Sequence, residues 1–403
     1  MHEAVSTAPG RHAVVIGGGI GGLATAAGLH RLGWRVTVLE RATRPREAGA
    51  GISLLTNAQR ALDRLGFGAQ VRARSVSMAP GGEGLRAPSG RRLQHPADPR
   101  FLSRHGLSLI VLLRPDLHGL LRAALPPGAL RTGADAVGVE DLPDGAVVRY
   151  GSAHGEERVR GDVVIAADGL NSRFRHLLWP SAARPVYSGH SVWRGIAGGG
   201  VGAIAEPGGG TWGRGLEFGR MPLPGHRVYW FAVANTPEGA RFPDGHAEVR
   251  RRFGSWHRPI PELIAATPPG DVLHHEVFEL AEPLPGYVSG RVALLGDAAH
   301  AMTSDLGQGA CQALEDAVVL CAALATEPAV PAALARYERE RRPRTQGIAA
   351  ASRRMGRTKM TERCWDLACR SVMMRLRSPR AAEEGMLYLG DWRPPRLPGP
   401  VPA

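Results

Sequence analysis

The chain has 403 residues, 43% of them hydrophobic and 22% charged, enough for two or three structural units at about 150 residues each. No run approaches the roughly 18 apolar residues of a membrane-spanning helix, and the sparse aromatics (5%) form no basic-aromatic stripe, so stable membrane insertion and nucleic-acid binding are both disfavoured. The net charge of +13 comes from arginine, since Lys359 is the single lysine; a P-loop, which needs Gly-Lys, cannot be written. Four cysteines without a CxxC pair suggest neither a disulfide framework nor a zinc site. The first residues lack the cationic start and apolar stretch of a secretion signal. The expectation is a reduced, cytoplasmic protein.

In chain order, Ala13 to Ile16 is a β-branched apolar run suited to a buried parallel strand. It leads into Gly17-Gly18-Gly19-Ile20-Gly21-Gly22, a helix rich in small residues over Leu23–Leu32, and a second strand from Trp34 to Leu39 that closes on Glu40. Strand, glycine turn, helix, strand and acid follow in the order of a dinucleotide-binding βαβ unit. Gly17 allows the tight turn, Gly19 lets backbone approach a pyrophosphate, and Gly22 lets helix and strand pack closely. Amides at the helix start, Ile20 among them, attract phosphate, and Glu40 can accept ribose hydroxyls.

Farther on, Thr56 or Asn57 can cap a helix that ends at Gly66. Residues 79–105 read as a loop or edge hairpin. Arg114-Pro115-Asp116-Leu117 opens a helix, and Asp144-Gly145 marks a hairpin. A strand at 163–166 ends in Asp168-Gly169 and a later one at 292–295 ends in Gly296-Asp297. The alternation over 186–282 predicts an antiparallel sheet, helices dominate beyond residue 309, and a Pro-rich tail from Arg393 is expected to be mobile. The basic, apolar stretch from Ser352 to Arg377 is expected to dock as a helix rather than lie on a membrane. Fifteen histidines, including His274-His275, show no metal-ligand spacing.

The glycine loop, Asp168-Gly169, Gly296-Asp297, and Gly307-Gln308-Gly309 followed by Glu315-Asp316-Ala317 occur in this order. Together with Gly49-Ala50-Gly51-Ile52, Arg114-Pro115-Asp116-Leu117 and Trp193-Arg194-Gly195, they resemble the flavoprotein monooxygenases of the para-hydroxybenzoate and salicylate hydroxylase type, from Val14 to about Arg354. The resemblance implies an α/β fold: a Rossmann-like FAD-binding domain with a parallel sheet, an inserted antiparallel β-sheet substrate domain, and C-terminal helices. The implied boundaries are 11–78, 106–185 and 283–345 for the FAD domain, 79–105 and 186–282 for the substrate domain, 346–392 for the helical segment, and 393–403 for the tail.

The same resemblance implies FAD as cofactor, NADPH or NADH as reductant, and O2 as co-substrate. A flavin hydroperoxide would then carry one oxygen atom to a small aromatic or polycyclic substrate, by hydroxylation or epoxidation. Glu40 would hold the adenosine ribose, Arg41 would lie near the adenine, and Gly51 and Arg114 would stand beside the flavin region. Asp168 would serve FAD and the pyridine nucleotide, Asp297 the ribityl chain, and Gly307, Gln308 and Gly309 would bring backbone amides to the flavin's pyrimidine edge. A helix N-terminus there stabilises the anionic reduced ring.

Trp193, Arg194, Glu217, Tyr229 and Ser304 are the candidates for the substrate pocket. Glu217 facing that pocket would disfavour an anionic substrate. Ser304-Asp305 departs from the family, which commonly has proline at position 304; serine restores both conformational freedom and polarity. A monomer or homodimer is expected. An oxidase or reductase without oxygen transfer, or a flavin-binding protein without turnover, are the alternatives. A flavin halogenase is disfavoured because WxWxIP is absent and Lys359 lies in the C-terminal helical region.

Overall fold

A computed structural model describes residues 11–44, 50–79, 82–182, 184–198, 200, 208–376 and 379–398. Its first layer is a six-stranded sheet in which His12–Ile16 lies between Arg35–Glu40 and Val163–Ala166, all parallel. Val292–Leu294 extends the sheet beyond Val163–Ala166, Leu130–Thr132 extends it beyond Arg35–Glu40, and the short antiparallel Val288–Ser289 closes one edge. The central strands are buried on both faces, which is why their sequences are continuous apolar runs rather than alternating ones.

Helix Ile20–Arg31 leaves the first strand and packs against helix Gly309–Thr326. Its small residues set that distance. A Cβ added at Gly21 would stand 2.7 Å from Leu295, and one at Gly28 would stand 2.7 Å from the Cys321 sulfur. Gly309–Thr326 is long and apolar enough to cross a membrane, but 78% of it is buried inside the fold, as in a core helix.

A three-stranded antiparallel sheet (Gly51–Leu55, Leu109–Leu113, Val76–Met78) adjoins this domain. The helix at 56–65 forms, with Gly66 closing it in the left-handed conformation at φ 84°. Its expected cap does not: the Thr56 hydroxyl bonds the Ser108 carbonyl instead, and Asn57 turns inward. Residues 85–86 and 92–94 make an edge hairpin, followed by a helix, Pro99–His105, that the loop expectation lacked.

The second layer is a seven-stranded sheet, ordered Leu273–Glu279, Val186–Ala197, Arg227–Asn235, Leu216–Leu223, Gly209–Trp212, then residues 85–86 and 92–94. Helices Gly245–Phe253 and Ile260–Ala265 cover one face, over a core of Trp193, Phe218, Trp230 and Phe253. Strand pairing puts Arg194, Phe231, Gly219, Tyr229, Val233 and Glu217 on the opposite, inner face.

The inner face is seated on the first domain. Tyr229 clusters with Val111 and Leu223, and its ring fills the space beside Gly51. Val192, Val233 and Val277 pack on Met360, just beyond helix Val330–Lys359. The C-terminal stretch therefore docks through Met360 and Arg370, whose guanidinium bonds the Gly213 and Lys359 carbonyls, while Trp365 and Met373 of helix Cys364–Leu376 stay exposed. In the C-terminal tail Leu397 packs against the core; residues 399–403 lie outside the described residues.

Candidate functional site

The glycine turn has the strain and the space that a phosphate site needs. Gly17 has φ +104°, and a Cβ there would stand 2.2 Å from the Ala167 carbonyl oxygen. A Cβ at Gly22 would stand 2.1 Å from the Gly17 oxygen, whereas nothing lies within 4 Å of the position a Cβ would take on Gly19. Gly19 is the N-cap of helix Ile20–Arg31, with no side-chain cap and no acid in the first turn. The Ile20 side chain is buried, so what it offers the groove is backbone. Unspent amides and open space at a helix start favour an anion.

Glu40 accepts the Gly18 amide at 2.7 Å and the Ala42 amide at 2.8 Å. These two bonds fix the carboxylate at the end of its strand, beside the glycine turn. Arg41 follows, exposed. His118, on the helix that Arg114 opens, holds the Gly18 carbonyl at 2.8 Å, and Arg114 itself is exposed. Gly49 lies outside the described residues, while Ala50 accepts the Arg114 amide at 2.9 Å.

Asp168 accepts the Ser172 hydroxyl at 2.6 Å and the Phe174 amide at 3.2 Å, which shapes its turn. Asp297 opens a short helix and is exposed. Between these two turns lies Arg175, fully buried, donating to the Leu170 carbonyl at 2.7 Å and the Ala298 carbonyl at 3.2 Å. Burial pulls its pKa down while Asp168 and Asp297 push it back up. It braces both acidic turns, a role that nothing in its local sequence signals.

The Gly307–Gly309 turn has Gly307 in the left-handed region at φ 62° and no side-chain cap on helix Gly309–Thr326. Gly307 and Ser304 are exposed. The Gln308 side chain is fully buried, accepting Asn57 at 3.0 Å and Gln312 at 2.8 Å, so what this residue can offer a cofactor is its backbone. Below it, Glu315 takes bonds from Asn57, Arg341 and Arg344, and Asp316 from His300, Arg341 and the Gly296 amide. Burial pushes Asp316 up, but His300 and Arg341 outweigh it and hold the carboxyl at about 2.

The pocket candidates separate. Trp193 is fully buried on the outer face against Phe242 and His274, with ring centroids 5.0 and 4.9 Å away, so it is a core residue and not a pocket one. Its neighbour Arg194 points to the inner face, half-buried, with a guanidinium nitrogen 3.5 Å from His275. Burial pushes the Tyr229 hydroxyl up and the nearby Arg194 charge pulls it down.

Glu217 faces inward but is no free carboxylate. It is 6% exposed and pairs with Lys359 at 2.8 Å, which removes the ground for expecting it to repel anions. Lys359, expected to lie apart from the pocket, also contacts Asp305 at 3.3 Å and stands 5.8 Å from the Trp212 ring centroid. The absence of WxWxIP remains the argument against a halogenase.

The open Gly19 position, the bound-back Glu40, the exposed Asp297 and the uncapped turn at Gly307–Gly309 suit an elongated group with an anionic middle and a planar head, as FAD is. A chain built in this way is a flavoprotein. A family profile described as FAD binding domain matches residues 11–190 and 272–352. The chain is 37% identical over 366 residues to the aurachin C monooxygenase/isomerase of Stigmatella aurantiaca, covering 91% of this chain and 94% of that protein. It is 35% identical over 361 residues to 3-hydroxybenzoate 6-hydroxylase 1 of Aquipseudomonas alcaligenes, covering 84% and 87%. Klebsiella pneumoniae HpxO, solved with FAD and uric acid, superposes with a TM-score of 0.84 at 28% identity, covering 93% of this chain and 95% of that one. The chain belongs to the FAD-dependent monooxygenases, and is a flavoprotein oxidoreductase.

Proposed function

We propose that this protein uses NADH or NADPH and O2 to insert one oxygen atom into a small, electron-rich aromatic substrate bearing an oxygen that Arg194 can engage. The observation that carries the reading is the position of Arg194: a half-buried cation on the inner face of the sheet, beside Tyr229, which itself packs over Gly51. Guanidinium presents donors in a fixed fork, which suits a phenolate, carboxylate or ring carbonyl. When bound, FAD supplies the redox chemistry, accepting electrons from the nicotinamide and passing them to O2.

The chain's own residues would bind, orient and exclude water. Amides at Gly19–Ile20 hold the pyrophosphate, Glu40 the ribose, Asp297 the ribityl hydroxyls, and the amides of Gly307 to Gly309 the anionic edge of the reduced ring. Phe231, Met221 and Ile196 share the inner face with Arg194 and give the substrate an apolar roof. The relative that by its name hydroxylates 3-hydroxybenzoate supports an aromatic ring as the element the site takes.

The test is a screen of hydroxybenzoates, aminohydroxybenzoates and purines for stimulated NADH or NADPH oxidation by FAD-loaded protein, with hydrogen peroxide measured in parallel. Stimulation without matching peroxide supports the reading. Oxidation appearing wholly as peroxide with every aromatic compound contradicts it.

A further inference from the structure

Along helix Val330–Lys359, Ser352, Gly356 and Lys359 lie at i, i+4 and i+7, on one face. All three grip the loop that precedes the Gly307 turn. The Ser352 hydroxyl donates to the Thr303 carbonyl at 2.8 Å and sits 3.0 Å from the Thr303 hydroxyl. Gly356 makes room for the Asp305 carboxylate, which would stand 2.5 Å from any Cβ there. Lys359 donates to both the carbonyl and the carboxylate of Asp305, each at 3.3 Å. The same ammonium pairs with Glu217 on the inner strand, so one cation ties helix, loop and roof together.

Resting on the FAD-site reading, we propose that the Ser352–Gly356–Lys359 stripe, with Asp305 as its counterpart, is the positioning device that holds the loop before the Gly307 turn in place, since Ser304 itself does not fix the backbone there. Asp305 is thereby held against helix Val330–Lys359 through its contact with Lys359, while Ser304 is exposed and lacks the fixed φ of a proline. A buried ion pair costs desolvation and is weak evidence of stability; its use here is geometric, since it joins segments more than fifty residues apart and fixes where they meet. Position 304 would also accept a proline. Thr303 has φ −60° and ψ 154°, the extended conformation that a following proline demands, and position 304 is the first residue of a short 3-10 turn.

The experiment compares the FAD-loaded wild type with Asp305→Ala, Asp305→Ala/Ser304→Pro and Lys359→Arg. Asp305→Ala leaves a neutral Lys359–Glu217 pair, so the fold should keep its melting temperature to within a few degrees. The expected result is an FAD dissociation constant raised about 5-fold, from loop freedom that binding must now remove, with an altered visible absorption band. Adding Ser304→Pro should return both toward wild type, and Lys359→Arg should keep most of the affinity. Asp305→Ala indistinguishable from wild type in affinity and spectrum, or a defect that proline leaves untouched, would overturn the proposal. A wild-type chain that takes up no FAD would instead overturn the cofactor reading beneath it.

Discussion

Asn57 and Gln308, 251 residues apart in sequence, meet side chain to side chain at 3.0 Å beneath the Gly307–Gly309 turn. The same Asn57 amide donates to the buried Glu315 carboxylate at 2.7 Å. The turn that would carry the flavin's polar edge thus stands on a buried ionic network and inherits its rigidity.

Asn57→Leu should therefore cost about 1.5–3 kcal/mol, the range for a hydrogen bond to a charged group. Arg341→Met, which strips Glu315 and Asp316 of a shared cation, should cost about 3–5 kcal/mol. Urea denaturation of each variant checks the order. Equal stability of the two would mean that the network is not organised around Arg341.

Gly19 and Gly22 should respond differently to the same substitution. Gly22→Ala forces a Cβ into the Gly17 carbonyl and should lower both stability and FAD affinity. Gly19→Ala meets no protein atom and should fold normally while weakening FAD by roughly 10-fold or more, because the methyl occupies the path of the pyrophosphate. Calorimetric stability and FAD titration separate the two effects.

Trp193 and Arg194 adjoin in sequence and oppose in space. Trp193→Ala should destabilise by about 3–5 kcal/mol, the cost of emptying a large aromatic site, with little change in KM for the turnover that remains. Arg194→Met should leave stability nearly unchanged and raise the KM for an oxygen-bearing aromatic substrate about 10-fold or more. A substrate whose KM is indifferent to Arg194→Met removes that residue from recognition.

This pair also shows what a sequence can and cannot reveal. The glycine turn, Asp168-Gly169, Gly296-Asp297 and the Gly307 turn are local: each is a strand end or helix start whose chemistry is written in consecutive residues. The facing of strand Val186–Ala197 is not, because helices Gly245–Phe253 and Ile260–Ala265 cover its outer face, so alternation signals a strand without telling which side is the pocket's. Lys359, Glu217 and Asp305 come from three distant segments, so no spacing rule could have joined them. Asn57 looked like a cap because short polar residues before an apolar helix usually are; its destination was fixed by Glu315.

Acid should weaken the fold through histidine before carboxylates protonate. His12, His190, His257 and His274 all have pKa values lowered from 6.5, chiefly by burial. The folded state keeps them neutral while the unfolded chain takes up protons first, so stability is full above the ordinary histidine pKa and falls as pH drops through the lowered folded values. Urea midpoints should decline between about pH 7 and pH 5, and His190→Gln should flatten that slope. A midpoint constant across the window would contradict it.

Oxygen insertion is tested by mass spectrometry of the product formed under isotopically labelled dioxygen, with FAD-loaded protein, NADH or NADPH, and the aromatic compound that best stimulates turnover. A monooxygenase leaves one labelled oxygen atom in each product molecule. Product formed in quantity without the label, its oxygen drawn from water, would contradict a monooxygenase reaction.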